Sequence, residues 1–260
     1  MAPKIGVALG GGGIRGFAHL GVLKVLKKHG IPIHMVAGSS AGSIAASLAA
    51  VGADLDIVEQ VLLSLNLKKL MNVSLHRTGF VDGNNLVETV RLLTKNKNIE
   101  DADIDLRIIA TDLIKRETVE FDRGNIAEAV RASVAIPGIF TPIKKDGKIL
   151  VDGCVLNHCP DDVVKNMGAD LVLAVDLEAA DNKEPVNVFE VVLRSWELMS
   201  RRRFKSCADM VIYPIIEPVG QLDFSKCVDC LKMGERAAES KVAEIKELIA
   251  SFSINQVPCS

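Results

Sequence analysis

The sequence predicts an α/β fold of three layers, with helices on both faces of a mostly parallel central sheet. Three observations carry that expectation. Short apolar runs alternate with segments of helical periodicity along all 260 residues. Two strand-to-helix junctions are glycine-rich turns, Gly11 to Gly16 and Gly38 to Gly42. The composition, 48% hydrophobic and 25% charged, is that of a chain able to bury about three quarters of its unfolded surface without disulfide staples.

The elements follow in order. Lys4 to Leu9 is a fully buried strand, followed by the glycine cluster and a helix from about Arg15 to Lys28 that stops at Gly30. A strand at His34 to Ala37 leads through the second turn into a small-residue helix, Ala41 to about Val51. Asp54 to Leu70 is mostly helical, and Leu86 to Lys95 is a helix with Asp82 placed to cap it. Strands are expected at Leu106 to Asp112, Thr118 to Phe121, Ile149 to Val151, Leu171 to Asp176 and Met210 to Ile215. Helices are expected at Ile126 to Ser133, Cys159 to Met167, Val188 to Phe204 and Lys226 to Phe252. No repeat or low-complexity linker divides the chain, so residues 1–260 are read as one domain.

Charge and cysteine usage narrow the class. The 31 Lys+Arg against 33 Asp+Glu give a net charge of −2, which provides no global field for nucleic acid. Six cysteines in a chain this long, with no export signal at the N-terminus, are expected as reduced thiols, and a cytoplasmic location is the default. The segment from His29 to Ala53 has no Asp, Glu, Lys or Arg and is long enough to cross a bilayer. Pro32 and the Gly38-Ser39-Ser40-Ala41-Gly42 turn break it, so it is read as a buried strand-turn-helix at the centre of the fold.

The first glycine cluster satisfies G-x-G-x-x-G, the dinucleotide fingerprint. That reading also needs an acid at the end of the second strand to hold a ribose, and Ile33 to Ser40 contains none. A nucleotide-binding or regulatory module therefore stays only as the alternative. What stands at the second strand end is G-x-S-x-G in the strand-to-helix context of a nucleophile elbow. Ser40 is the candidate nucleophile, with Gly38 and Gly42 allowing the chain to pass closely on either side. Unhindered amides of Gly11, Gly12 and Gly13, with the N–H of Ala41, are placed to stabilise a developing oxyanion, and Arg15 adds positive charge.

These motifs, with Asp152-Gly153-Cys154 and the run Ala132 to Phe140, resemble the patatin-like phospholipase family, with its G-G-G-x-[RK]-G loop, G-x-S-x-G turn and later D-G-[AG]. Cys154 departs from the Ala or Gly of that pattern. The resemblance implies a Ser-Asp dyad of Ser40 and Asp152, an acyl-enzyme, an acyl-lipid substrate, and no metal or organic cofactor. The histidine order agrees, because only His158 follows Asp152 and it is expected as a turn residue. Asp112, Asp122 and Asp176, at or near other strand ends, remain competitors for the acid. An acyltransferase or thioesterase would use the same nucleophile.

Two further features are weighed. Cys227-Val228-Asp229-Cys230 matches C-x-x-C without a second pair at zinc spacing, and is expected to be incidental. Trp196, Leu198 and Met199 followed by Arg201-Arg202-Arg203 and Lys205 are read first as a solvated helix end whose cations suit the C-terminal dipole, with peripheral contact with an anionic membrane as the alternative.

Overall fold

The computed structural model describes residues 2–64, 73–76, 79–81, 83–177, 184, 188–201 and 206–254. Its strands are β1 (Ile5–Leu9), β2 (Met35–Ser39), β3 (Val73–His76), β4 (Gly79–Val81), β5 (Asp105–Asp112), β6 (Glu117–Phe121), β7 (Ile143–Lys145), β8 (Lys148–Asp152), β9 (Leu171–Val175) and β10 (Met210–Ile212). Its helices are α1 (Phe17–Lys28), α2 (Ala41–Ala50), α3 (Leu55–Ser64), α4 (Asn84–Leu93), α5 (Ile126–Ser133), α6 (Asp161–Asn166), α7 (Val188–Arg201) and α8 (Cys227–Ile254).

The main sheet runs β10-β9-β1-β2-β5-β8-β7, with β6 on β5; β10 through β5 are parallel, whereas β6, β8 and β7 pair antiparallel. The expected strands all form, although β10 stops two residues short of Pro214, which has no N–H to continue a ladder. Sequence reading missed β7 and the separate β3–β4 hairpin. Asp82 and residues 65–70 and 202–205, on which parts of the helical reading rest, lie outside the described residues; the N-cap of α4 is Gly83.

Period-two alternation builds the layers. Ile5, Val7 and Leu9 of β1 join a core with α1, α2, α5 and α8. Ala8, Ala37 and Ala174, pointing the other way, pack against α6 through Val163 and Val164. Among the described residues no helix is long and apolar enough to cross a membrane.

The antiparallel edge is what places the site. β5 pairs β2 through Ser39↔Ile109 and pairs β8 from Ala110↔Asp152 onward, while β6 holds the opposite edge at both stretches. β2 and β8 therefore lie end to end along one side of β5. The carboxyl ends of the two strands meet, so residues 112 apart in the sequence become neighbours.

Candidate active site

Ser40 follows β2 and precedes α2 with φ 52 and ψ −124, a left-handed backbone that a side chain adopts only at a cost of about 1–3 kcal/mol. The surroundings hold it there. Ser133 Oγ accepts the Ser40 N–H at 2.9 Å, and the Ser40 carbonyl accepts from Ser43 N (2.9 Å) and Ser43 Oγ (2.6 Å). The glycines on either side are demanded by contact: a Cβ at Gly38 would come within 2.3 Å of Gly42 O, and one at Gly42 within 2.0 Å of Leu9 O.

Ser40 Oγ donates to Asp152 Oδ2 at 2.6 Å, and Asp152 Oδ1 accepts from Cys154 N at 2.9 Å. Asp152 is fully buried, and burial pushes its carboxyl up from 3.8 to about 6, against the lowering effect of the Ser40 and Cys154 hydrogen bonds and of His158. The competing acids are engaged elsewhere. Asp112 Oδ1 accepts from Ile114 N (2.9 Å), Asp176 Oδ1 lies 3.3 Å from His158 Nε2, and Asp122 faces Arg123 on the surface.

The two buried histidines, His19 and His158, have structural contacts of their own. His19 Nε2 is 2.7 Å from Gly10 O, and burial lowers its pKa to about 4, so the neutral ring donates to the start of the glycine loop. His158 borders the space beside Ser40, but its ring is directed to Asp176.

The glycine loop divides into two parts. Among the described residues no acceptor takes the N–H of Gly12, Gly13 or Ala41, and Gly12 and Gly13 line one small gap together with Ser40. Gly11 and Arg15 depart from the sequence expectation. Gly11 N–H donates to His158 O at 3.0 Å. Arg15, 2% exposed, donates from Nη1 to Leu177 O (3.0 Å) and to Glu197 Oε1 (2.9 Å), and from Nη2 to Glu197 Oε2 (3.2 Å). A guanidinium paired face-on with a carboxylate has its charge compensated there, and Arg15 acts as the tie between the loop and α7.

That tie closes the site. Trp196, Glu197 and Ser200 of α7 border the gap above Ser40, and Leu193 packs on Ala135, Ile136, Ile139 and Phe140. Ser40 is accordingly only 3% exposed. Trp196 also turns inward, unlike the membrane-facing role considered for it, whereas Leu198 and Met199 are exposed. Arg202, Arg203 and Lys205 lie outside the described residues.

On the other side Ser40 and Ala41 open on an almost wholly apolar cavity of about 180 Å³, lined by Ile14, Phe17, Leu20, Ile44, Leu48 and Val90 among others. Apolar cavities of about 150 Å³ stay dry and accept a hydrocarbon the size of benzene. The C-x-x-C pair lines neither space beside Ser40: Cys227 and Cys230 are buried, and burial pushes their thiols up to about 11 and about 12. Among the described residues no group of three or more His, Cys, Asp or Glu is arranged to hold a metal.

Fold and site together define a class: α/β proteins with a serine on a strand-to-helix elbow, hydrogen-bonded to a carboxylate from a neighbouring strand. More particularly, the chain belongs to the patatin-like phospholipase family, whose model matches residues 7–164. An uncharacterized NTE family protein of Mycobacterium tuberculosis is 35% identical over 183 residues, 69% of this chain and 51% of its own length. Patatin-like phospholipase domain-containing protein 6 of Homo sapiens is 29% identical over 88% of this chain and 17% of its own. This chain thus spans about half the length of the mycobacterial relative and far less of the human one. The fold is also that of VipD from Legionella pneumophila, at TM-score 0.68 and 15% identity over 92% of this chain and 66% of that one.

Proposed function

We propose that the protein is a serine acyl hydrolase that cleaves carboxylic ester bonds of phospholipids, lysophospholipids or related acyl lipids through Ser40 and Asp152. The observation that carries this reading is the 2.6 Å hydrogen bond from Ser40 Oγ to a buried, fully desolvated carboxylate, beside unengaged amides. As Ser40 Oγ bonds to the acyl carbon, Asp152 takes its proton, and the carbonyl oxygen becomes an oxyanion facing the N–H groups of Gly12, Gly13 and Ala41. Collapse breaks the ester C–O bond, and Asp152 returns the proton to the departing alcohol. Water then attacks the acyl-enzyme while Asp152 accepts its proton, and Ser40 regains a proton as the fatty acid leaves.

Burial supports the choice of a carboxylate as base. A carboxylate in water is too weak a base for a hydroxyl, and desolvation brings Asp152 nearer the operating pH. The apolar cavity beside Ser40 suits one acyl chain, each buried methylene of which contributes about 0.8 kcal/mol. In this reading Gly10, Gly11, His19 and Arg15 position the loop without touching substrate. Replacement of Ser40 by Ala, with folding checked by circular dichroism, is expected to abolish both fluorophosphonate labelling and hydrolysis of p-nitrophenyl butyrate. Turnover retained in that variant refutes the nucleophile.

A further inference from the structure

β5 runs parallel to β2 and outlasts it, continuing three residues past Ile109, the partner of Ser39, to Asp112. Two hairpin turns extend this overhang. The β5–β6 turn consists of Leu113, Ile114, Lys115 and Arg116, all exposed, with Leu113 at 48% and Ile114 at 58%, and leads into exposed Glu117 at the start of β6. The β7–β8 turn lies alongside, since Leu113 N–H donates to Ile149 O at 2.9 Å. It presents Lys144, Lys145 and Asp146 exposed and Lys148 half-buried. Buried Asp112 locks the two together, its Oδ1 accepting from Ile114 N (2.9 Å) and Ile149 N (3.4 Å).

The tips are both apolar and cationic. Lys115, Arg116, Lys144, Lys145 and Lys148 stand against Glu117 and Asp146 on a chain whose net charge is −2. Lys115 meets Glu117 at 3.8 Å and Lys145 meets Glu128 at 3.2 Å, both in open solvent, where such pairs hold their partners weakly. The third observation is α7, which lies over Ser40 and is apolar on two sides. Leu193 and Trp196 face inward, while Val188, Val191, Val192, Leu198 and Met199 are 47–81% exposed. A helix with an apolar outer stripe over the carboxyl end of β2, together with a tip ending in Leu-Ile and ringed by cations at the carboxyl end of β5, is the composition of a surface that meets lipid.

We infer that the carboxyl edge of the sheet docks on an anionic phospholipid bilayer, through the β5–β6 and β7–β8 turns and the outer stripe of α7. The inference rests on the acyl-lipid reading for its biological sense, but the binding itself needs no turnover. Leu113 lies four residues beyond Ile109, so the tip stands about 13 Å further along the strand than the level of Ser39, and about 10 Å further than that of Ser40. With the tip immersed about 5–10 Å, Ser40 remains outside the bilayer. A lipid ester must then leave the bilayer to react, which single-chain lysolipids do most readily.

The test is flotation of the full-length Ser40→Ala protein with vesicles of phosphatidylcholine alone and of phosphatidylcholine with one quarter phosphatidylglycerol. The expected result is binding to the anionic vesicles, weakened by raising salt from 0.1 to 0.5 M. A Lys115→Glu/Arg116→Glu pair and a Leu113→Ser/Ile114→Ser pair are each expected to lower partitioning at least tenfold, since one cation alone accounts for about fivefold. The same pairs placed in the active protein leave p-nitrophenyl butyrate hydrolysis unchanged, which certifies folding. Equal binding to both vesicle types, or hairpin variants that bind like the parent, overturns the inference. So does a dimer in light scattering that the Leu113→Ser/Ile114→Ser pair dissociates without any vesicle binding, because the patch then covers a second copy. Vesicle binding by a protein whose wild type hydrolyses no ester removes the proposed function and leaves the docking surface standing; esterase activity without vesicle binding does the reverse.

Discussion

Replacing Asp152 by Asn separates what the buried carboxylate does for chemistry from what it does to stability. Its rise from 3.8 to about 6 is caused first by burial, and about two units at about 1.4 kcal/mol each put the ionised form some 3 kcal/mol above its free energy in water. Between pH 4 and 6 the folded protein keeps a proton that the unfolded chain has lost. Stability therefore falls as pH rises through that window and is level above it. Asn carries no such term. Its single acceptor oxygen serves either Ser40 Oγ or Cys154 N, so it loses about 1.5–3 kcal/mol of charge-assisted hydrogen bonding and roughly offsets the relief at pH 7. Urea unfolding of parent and Asp152→Asn at intervals from pH 4 to pH 7 should show the parent's advantage falling by about 3 kcal/mol. In parallel, kcat/KM of the parent for p-nitrophenyl butyrate should rise about tenfold per pH unit up to about 6 and then flatten, while the variant is slower by about 10²- to 10⁴-fold and lacks that limb. An advantage that grows with pH, or a parent rate flat from pH 5 to 7, refutes a raised carboxylate as the base.

The other expectations are simpler. Ser40→Gly should be about 1 kcal/mol more stable than Ser40→Ala in urea unfolding, because glycine accepts φ 52 without strain. Gly11→Ala sets a Cβ 2.0 Å from Cys154 Sγ and should cost about 2–3 kcal/mol, with much of it recovered in a Gly11→Ala/Cys154→Ala double variant; a double variant no better than the single one denies that contact. Ala45→Leu adds bulk to the cavity wall and should lower kcat/KM for p-nitrophenyl octanoate several-fold more than for the butyrate, as read in an ester chain-length series.

Much of this architecture is legible in the sequence because its signals are local. The elbow needs Gly38 and Gly42 within a few residues of Ser40, and the unbroken apolar run of Ile5 to Leu9 declares a strand buried on both faces. What the sequence conceals is pairing at long range. Nothing near Gly11 tells that its amide goes to His158 O, and nothing near Arg15 points to Glu197, 182 residues away. Glu197 reads as one charge on an amphipathic helix until α7 is folded over the loop. Ser133 is similarly silent, a helix-end serine whose hydroxyl turns out to hold the Ser40 amide. β7 escaped because Ile143-Lys144-Lys145 has one apolar residue; an edge strand of that length is recognised by its partner and not by its composition. Among the four strand-end aspartates, spacing could not tell which lies beside Ser40; the abutment of β2 and β8 on β5 puts Asp152 there.

That abutment makes the reach of the acid a matter of arithmetic in a distant turn. Lys145 pairs Lys148 across Asp146 and Gly147, both with positive φ (50 and 73), the two-residue connection that fixes which rung of the ladder each later residue occupies. One residue more or less in that bend, if transmitted along β8, would rotate the carboxyl to the far side of the sheet, and two would slide it about 7 Å along β5. Loop engineering at positions 146 and 147 thus offers a ruler for moving the carboxylate proposed as general base without substituting Ser40, Asp152 or their hydrogen-bond partners.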